Sequence, residues 1–221
     1  MWYPRSIVAE QYRVAATRIE LMTGKHQSTV IVVSSAIMGE GKTSTALNLA
    51  HVFSRDYSKK TVLVDSDFKR PMVHALAGVE ANAGLSDVLI GAKTLEECIE
   101  YHEQLGIWIL SCGTANSGAT PLRHLNQLSG VIEELRSKFQ CVIIDAPPVL
   151  PVAEANVIAR MGDIVTYVIR ARTTRRDAVN QALKLIGQNE TIAVVLNGVE
   201  LTDMPHYSEK YYYEPHYKQL R

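Results

Sequence analysis

Residues 36–44 read AIMGEGKTS, between a short β-branched run and a helix-forming stretch. Two glycines followed at once by Lys-Thr can wrap a phosphate. Gly39 and Gly41 let the backbone curl so that successive amides point at phosphate oxygens. A helix starting near Lys42 adds its positive N-terminal end at the same spot. Lys42 is then placed to bridge β- and γ-phosphates, and Thr43 to offer its hydroxyl to Mg²⁺. Met38, Gly39, Glu40, Gly41, Lys42, Thr43 and Ser44 are the expected nucleotide contacts. Ala36 stands where the consensus G-x-x-x-x-G-K-[ST] has its first glycine, so the strict pattern is not met. The plain alternative is a glycine-containing turn.

More chemistry lies at two other strand-like ends. VLVDSDFKRP places Asp65 and Asp67 two apart on an extended segment, hence on one side. CVIIDAPP ends an apolar run in Asp145, ahead of the stiffening pair Pro147–Pro148. Carboxylates brought together at the carboxyl edge of a sheet repel one another unless a cation or proton intervenes. Mg²⁺ is the natural third member. Asp145 taken alone reads equally well as a turn or cap residue.

The elements that must position these groups are legible in outline. Strands are expected at 28–36, 60–67, 105–112, 141–148, 163–171 and 192–199. Helices are expected at 43–53, 122–137 and 174–187. Near-continuous apolar strands alternating with helices argue for a mostly parallel sheet covered on both faces, a three-layer α/β sandwich. An amphipathic helix over 6–22 is expected to turn Val8, Tyr12, Ala15, Ile19 and Met22 to one face, with Glu10, Arg13 and Thr17 on another. Three regions result: an N-terminal helix (1–25), a nucleotide-binding domain (26–203) and a tail (204–221).

Composition narrows the class. The 221 residues suffice for one large domain. Lys+Arg and Asp+Glu are equal at 23 each, so no net field points to nucleic acid. Three cysteines without a close pair fit a reducing compartment better than a disulfide framework or zinc site. The N-terminus lacks the pattern of a signal peptide, and no stretch approaches the roughly 20 apolar residues that span a bilayer. A cytoplasmic domain is expected, free-standing or part of a longer chain.

Five of the ten tyrosines, Tyr207, Tyr211, Tyr212, Tyr213 and Tyr217, fall in the last fifteen residues, in an expected disordered tail. Such a cluster is a compositional accident, an adhesive aromatic patch, or a set of phenolic oxygens needed as such.

Together, MGEGKTS, VLVDSDFKRP, VIIDAPP and the tyrosine tail resemble the bacterial tyrosine kinases that accompany capsular and exopolysaccharide export. These are P-loop proteins of the MinD/ParA-like superfamily. The resemblance implies a P-loop NTPase-like fold and ATP-dependent autophosphorylation of the tail tyrosines, between subunits. It implies Lys42, Asp65, Asp67 and Asp145 as catalytic residues. Thr43, Asp67 and Asp145 would order Mg²⁺, Asp65 would take the phenol proton, and Asn197 would lie at the adenine of ATP. It also implies a homo-oligomeric ring, a membrane-spanning polysaccharide co-polymerase as activator in cis or trans, and a tyrosine phosphatase. The place of action would be the inner face of the plasma membrane.

The chain departs from the family at several points. Lys69 replaces the arginine of D-x-D-x-R. In the ring motif E-x-x-R-x-x-R, Glu10 and Arg13 match but Ala16 takes the last position. The loop at 113–125 ends on Arg123 and His124 rather than in a proline-rich acidic stretch. Two other readings remain. A partition or site-selection ATPase usually has a second lysine early in the phosphate loop, and 34–40 contains none. A non-catalytic ATP-binding scaffold that sets polysaccharide length would not need the three carboxylates.

Overall fold

The computed structural model describes residues 6–24, 26–80, 82–113, 123–187 and 191–200. The tail tyrosines and residues 114–122 of the loop after the fourth strand lie outside them. In chain order the elements are α1 (Ile7–Thr23), β1 (Thr29–Ser35), α2 (Lys42–Arg55), β2 (Thr61–Asp65), α3 (Val73–Ala77), α4 (Leu85–Leu89) and α5 (Leu95–Cys98). There follow β3 (Ile99–His102), β4 (Ile107–Leu110), α6 (Leu125–Lys138), β5 (Cys141–Asp145), α7 (Ala153–Ala159), β6 (Ile164–Arg170), α8 (Arg176–Ile186) and β7 (Ile192–Asn197).

Seven strands form one sheet in the order β3-β4-β2-β5-β1-β6-β7, parallel except for β3 against β4. The six expected strands are all present. β3 was not anticipated: Ile99–His102 is partly exposed along its length, so it carries none of the apolar continuity of a central strand. The short helices α3, α4, α5 and α7 were also missed, being too brief to establish a helical period.

The central strands send alternate residues to opposite faces. Val30, Val32, Val62, Val64, Val142 and Ile144 meet Leu128, Ile132 and Leu135 of α6 on one side. Ile31, Val33, Leu63 and Ile143 meet Leu49 and Phe53 of α2, and Ile19 of α1, on the other. β1, β2 and β5 are therefore buried at every position, with an apolar run through the middle and no solvent face.

Helix α1 is capped by Ser6, whose Oγ accepts from the Ala9 amide at 3.1 Å. Its buried face is rotated from the one expected. Ala9, Ala16, Ile19 and Thr23 are buried, whereas Val8 and Met22 are 61% and 47% exposed. Small residues win the inner face because they let α1 lie close on α2. Ala16, the position lacking the family's arginine, is fully buried. Arg13 donates to Asp56 at 2.8 Å and to Glu10 at 3.0 Å, which ties α1 to the end of α2 within one chain.

Restoring that arginine should therefore damage the fold. Ala16→Arg would overfill a closed contact and bury a charge, at a cost of about 3 kcal/mol or more. Exposed Arg18→Ala should shift stability by no more than about 0.5 kcal/mol. Urea denaturation midpoints check both values.

Candidate active site

The loop after β1 turns at Gly39 (φ 82°) and Gly41 (φ 94°), both in the left-handed region. Gly41 is needed twice over. It caps α2 in that conformation, and a Cβ there would lie 2.1 Å from the side-chain nitrogen of Asn197. The 14-residue helix α2 then starts at Lys42, directing its N-terminal amides into the bend.

Strand register does the rest. Asp145 pairs with Val33 on one side and with Asp65 on the other, so β2 and β5 end level, two residues short of the end of β1, and their terminal carboxylates meet beside the loop. Asp65, Asp67 and Asp145 are 0%, 6% and 1% exposed, and Lys42 is 7% exposed. The Lys42 ammonium stands 4.0 Å from the Asp67 carboxylate.

The carboxylates are held differently. Asp65 accepts from the Met72 and Val73 amides on one oxygen, each at 3.0 Å, and from the Asp67 amide on the other at 3.2 Å. It thereby fixes the turn into α3. Burial pushes its pKa up to about 6 against the pull of those amides, with the neighbouring Asp67 adding to the rise. Asp145 is pushed up to about 8, by burial first and by the charge of Asp65 second, while the Thr43 hydroxyl and Lys42 oppose the rise. Its Oδ1 is buried with no hydrogen-bond partner among the described residues.

An orphaned carboxylate oxygen beside a threonine hydroxyl and a phosphate-shaped loop fits a divalent cation. Thr43, Asp67 and Asp145 are the residues that would hold or order Mg²⁺. Among the described residues no three His, Cys, Asp or Glu side chains close into a metal cage. That suits Mg²⁺, which is usually bound through one or two carboxylates plus phosphates and water.

The structure gathers all the loop residues expected from the sequence. Asn197, expected near the adenine of ATP, lies against the loop. The Asn197 amide donates to the Glu40 carbonyl at 2.9 Å and accepts from the Gly198 amide at 2.9 Å, so it grips the loop backbone. Glu40 is 1% exposed, and its carboxylate accepts from the Ile37 amide at 2.8 Å and from the Thr174 hydroxyl. Arg170 donates to the Gly39 carbonyl at 3.1 Å. Arg170 and Thr174 were missed because only the sheet order brings β6 beside the loop.

The chain is similar to known proteins in sequence and in fold. A family model described as an AAA domain matches residues 28–193, and the chain belongs to that family. It is 29% identical over 209 residues to the tyrosine-protein kinase YwqD of Bacillus subtilis, covering 94% of this chain and 88% of that protein. It is 27% identical to the succinoglycan biosynthesis transport protein ExoP of Rhizobium meliloti over 93% of this chain, but spans only 27% of ExoP. Among solved structures, the VpsO kinase domain is 30% identical, with TM-score 0.76, covering 90% of this chain and all of that one. The septum site-determining protein MinD of Pyrococcus horikoshii, complexed with Mg-ADP, shares the fold at TM-score 0.62 and 24% identity, covering 83% of this chain and 76% of that one.

Two substitutions test the site. Lys42→Met should reduce phosphate transfer from ATP by on the order of 100-fold or more, since it removes the buried cation beside the phosphate loop. Asp145→Asn should abolish the rise in melting temperature produced by MgATP. It should leave the nucleotide-free protein no less stable, because burial and the charge of Asp65 already disfavour the ionised Asp145 carboxylate. Differential scanning calorimetry with and without MgATP reads both effects.

Proposed function

We propose that this AAA-family chain is the kinase domain of a polysaccharide export system and phosphorylates tyrosines on the tails of its own kind. The observation that carries the reading is the buried Lys42–Asp67 pair, level with the orphaned Asp145 oxygen at the mouth of the phosphate loop. The kinase relatives and the export protein ExoP supply the biological setting.

In this reading Lys42 and the first amides of α2 hold the β- and γ-phosphates of ATP. Bound Mg²⁺ supplies neutralisation of charge on the transferred group. A tyrosine oxygen attacks the γ-phosphorus, the bond from phosphorus to the β,γ-bridging oxygen breaks, and ADP departs. The phenol proton passes to Asp65, which at a pKa near 6 is largely ionised at pH 7. Asp67 and Asp145 serve the metal shell. Positioning and charge neutralisation carry most of the rate.

The acceptors are Tyr207, Tyr211, Tyr212, Tyr213 and Tyr217 in the tail 204–221, presented by a neighbouring subunit to the domain 26–203. The helix within 1–25 adds to subunit contacts through Glu10 and Arg13. An oligomer at the inner face of the plasma membrane, a membrane-spanning co-polymerase and an opposing tyrosine phosphatase complete the proposal. Each phosphotyrosine adds about −1.5 to −2 charges at pH 7, so full modification crowds like charge at the subunit junction and favours separation.

Incubation with γ-labelled ATP, followed by phosphotyrosine mapping, tests this function. Changing the five tail tyrosines to Phe should remove most label while leaving ATP affinity unchanged. Release of inorganic phosphate without any phosphotyrosine would replace the kinase by an ATPase. Full labelling at Tyr12, Tyr57 or Tyr101 would move the acceptor out of the tail.

A further inference from the structure

A loop whose amides converge on a phosphate turns its carbonyls outward, and each needs a donor on that side. Several donors here are local. The Ala36 carbonyl accepts from the Leu150 amide at 3.2 Å, that of Ile37 from the Ser35 hydroxyl at 2.7 Å, and that of Gly41 from the Thr45 amide at 2.9 Å. The two carbonyls at the crest of the bend are reached by side chains from elsewhere. Arg170 serves Gly39 at 3.1 Å and Asn197 serves Glu40 at 2.9 Å. Arg170 and Asn197 are direct partners in the β6–β7 register, so two adjacent strand ends deliver donors to two successive carbonyls.

A third contact completes the set. Glu40 places a buried carboxylate inside a loop that must receive an anion. Its oxygens are drawn backward, one to the Ile37 amide and one to the Thr174 hydroxyl. The Thr174 oxygen also accepts from the Arg170 amide at 3.1 Å, which orients its proton toward Glu40.

We propose that Arg170, Thr174 and Asn197 are positioning residues that hold the phosphate loop, from its outer side, in the curvature that binds phosphate. Asn197 acts on the loop backbone and not on the base of the nucleotide. This rests on the nucleotide reading of the loop and is independent of tyrosine as acceptor, so the assay contains no transfer step.

Binding of ADP and of inorganic tripolyphosphate, each with Mg²⁺, is measured by calorimetry on the full chain. Asn197→Ala removes one donor and should weaken ADP binding about tenfold. Asn197→Asp keeps the shape but sets an acceptor against the Glu40 carbonyl, so it should bind less tightly than the Ala variant. A packing role would give the reverse order. Thr174→Val should weaken ADP binding severalfold, and Thr174→Ser should restore it. Arg170, being exposed, should matter least when changed to Met.

For the Asn197 variants, tripolyphosphate and ADP binding should fall by equal factors. A loss confined to ADP would make Asn197 a base contact and overturn the proposal. So would wild-type ADP affinity in both Asn197→Asp and Thr174→Val. Should Asn197→Asp fail to fold, the Thr174 pair decides alone: an equal loss in Val and Ser, or none in either, contradicts the brace. Absence of ADP binding by the wild-type chain would defeat the nucleotide reading itself.

Discussion

Lys42 and Asp67 face each other across 4.0 Å with both side chains almost closed off from water, and Asp65 and Asp145 lie beside them at the ends of paired strands. One cation among three carboxylates leaves an excess of negative charge where water does little to screen it. The protein accommodates this in three ways. Asp65 is satisfied by backbone amides, Asp67 by Lys42 and the Arg70 amide, and Asp145 is left with an unpartnered oxygen and a pKa pushed up to about 8. The last of these is a local cost that a bound cation would relieve. Sites held in such tension are commonly functional.

The rest of the fold serves that arrangement. Every residue of β1, β2 and β5 is buried between the helical layers, and this fixes their register so that the acidic ends of β2 and β5 stay level beside the loop after β1. The bend after β1 is stabilised from within by its glycines and from outside by donors of β6 and β7. Helix α1 braces α2, through close packing at Ala16 and Ile19 and through the Arg13–Asp56 contact. Lys42 and Thr43 thus sit at the start of a helix supported along its length.

Much of this was legible in the sequence. Gly39, Gly41, Lys42 and Thr43 announce a phosphate loop because that chemistry demands those types at that spacing. β1, β2, β4, β5 and β6 show because burial in the middle of the sheet leaves apolar runs, and the edge strand β7 shows because its residues 192–196 are apolar without a break. β3 stayed hidden because its four residues, Ile-Glu-Tyr-His, are too few and too polar to make such a run. The face of α1 was misjudged because hydropathy favoured Val8 and Met22, whereas the small residues Ala9 and Ala16 are the ones buried, Ala16 against α2. Asn197 could be picked out as a residue near the site, but its contact with Glu40 depends on sheet order. Arg170 and Thr174 escaped for the same reason. No local pattern encodes which strand ends lie side by side.

The central claim is that the buried carboxylates and the phosphate loop form one site completed by a divalent cation and a nucleotide together. Titration calorimetry of ATP into the protein, in Mg²⁺ and then in excess EDTA, tests it directly. The account predicts binding at least about tenfold tighter with Mg²⁺, because bare ATP would bring further negative charge against Asp67 and Asp145. Equal affinity in the two buffers would contradict it.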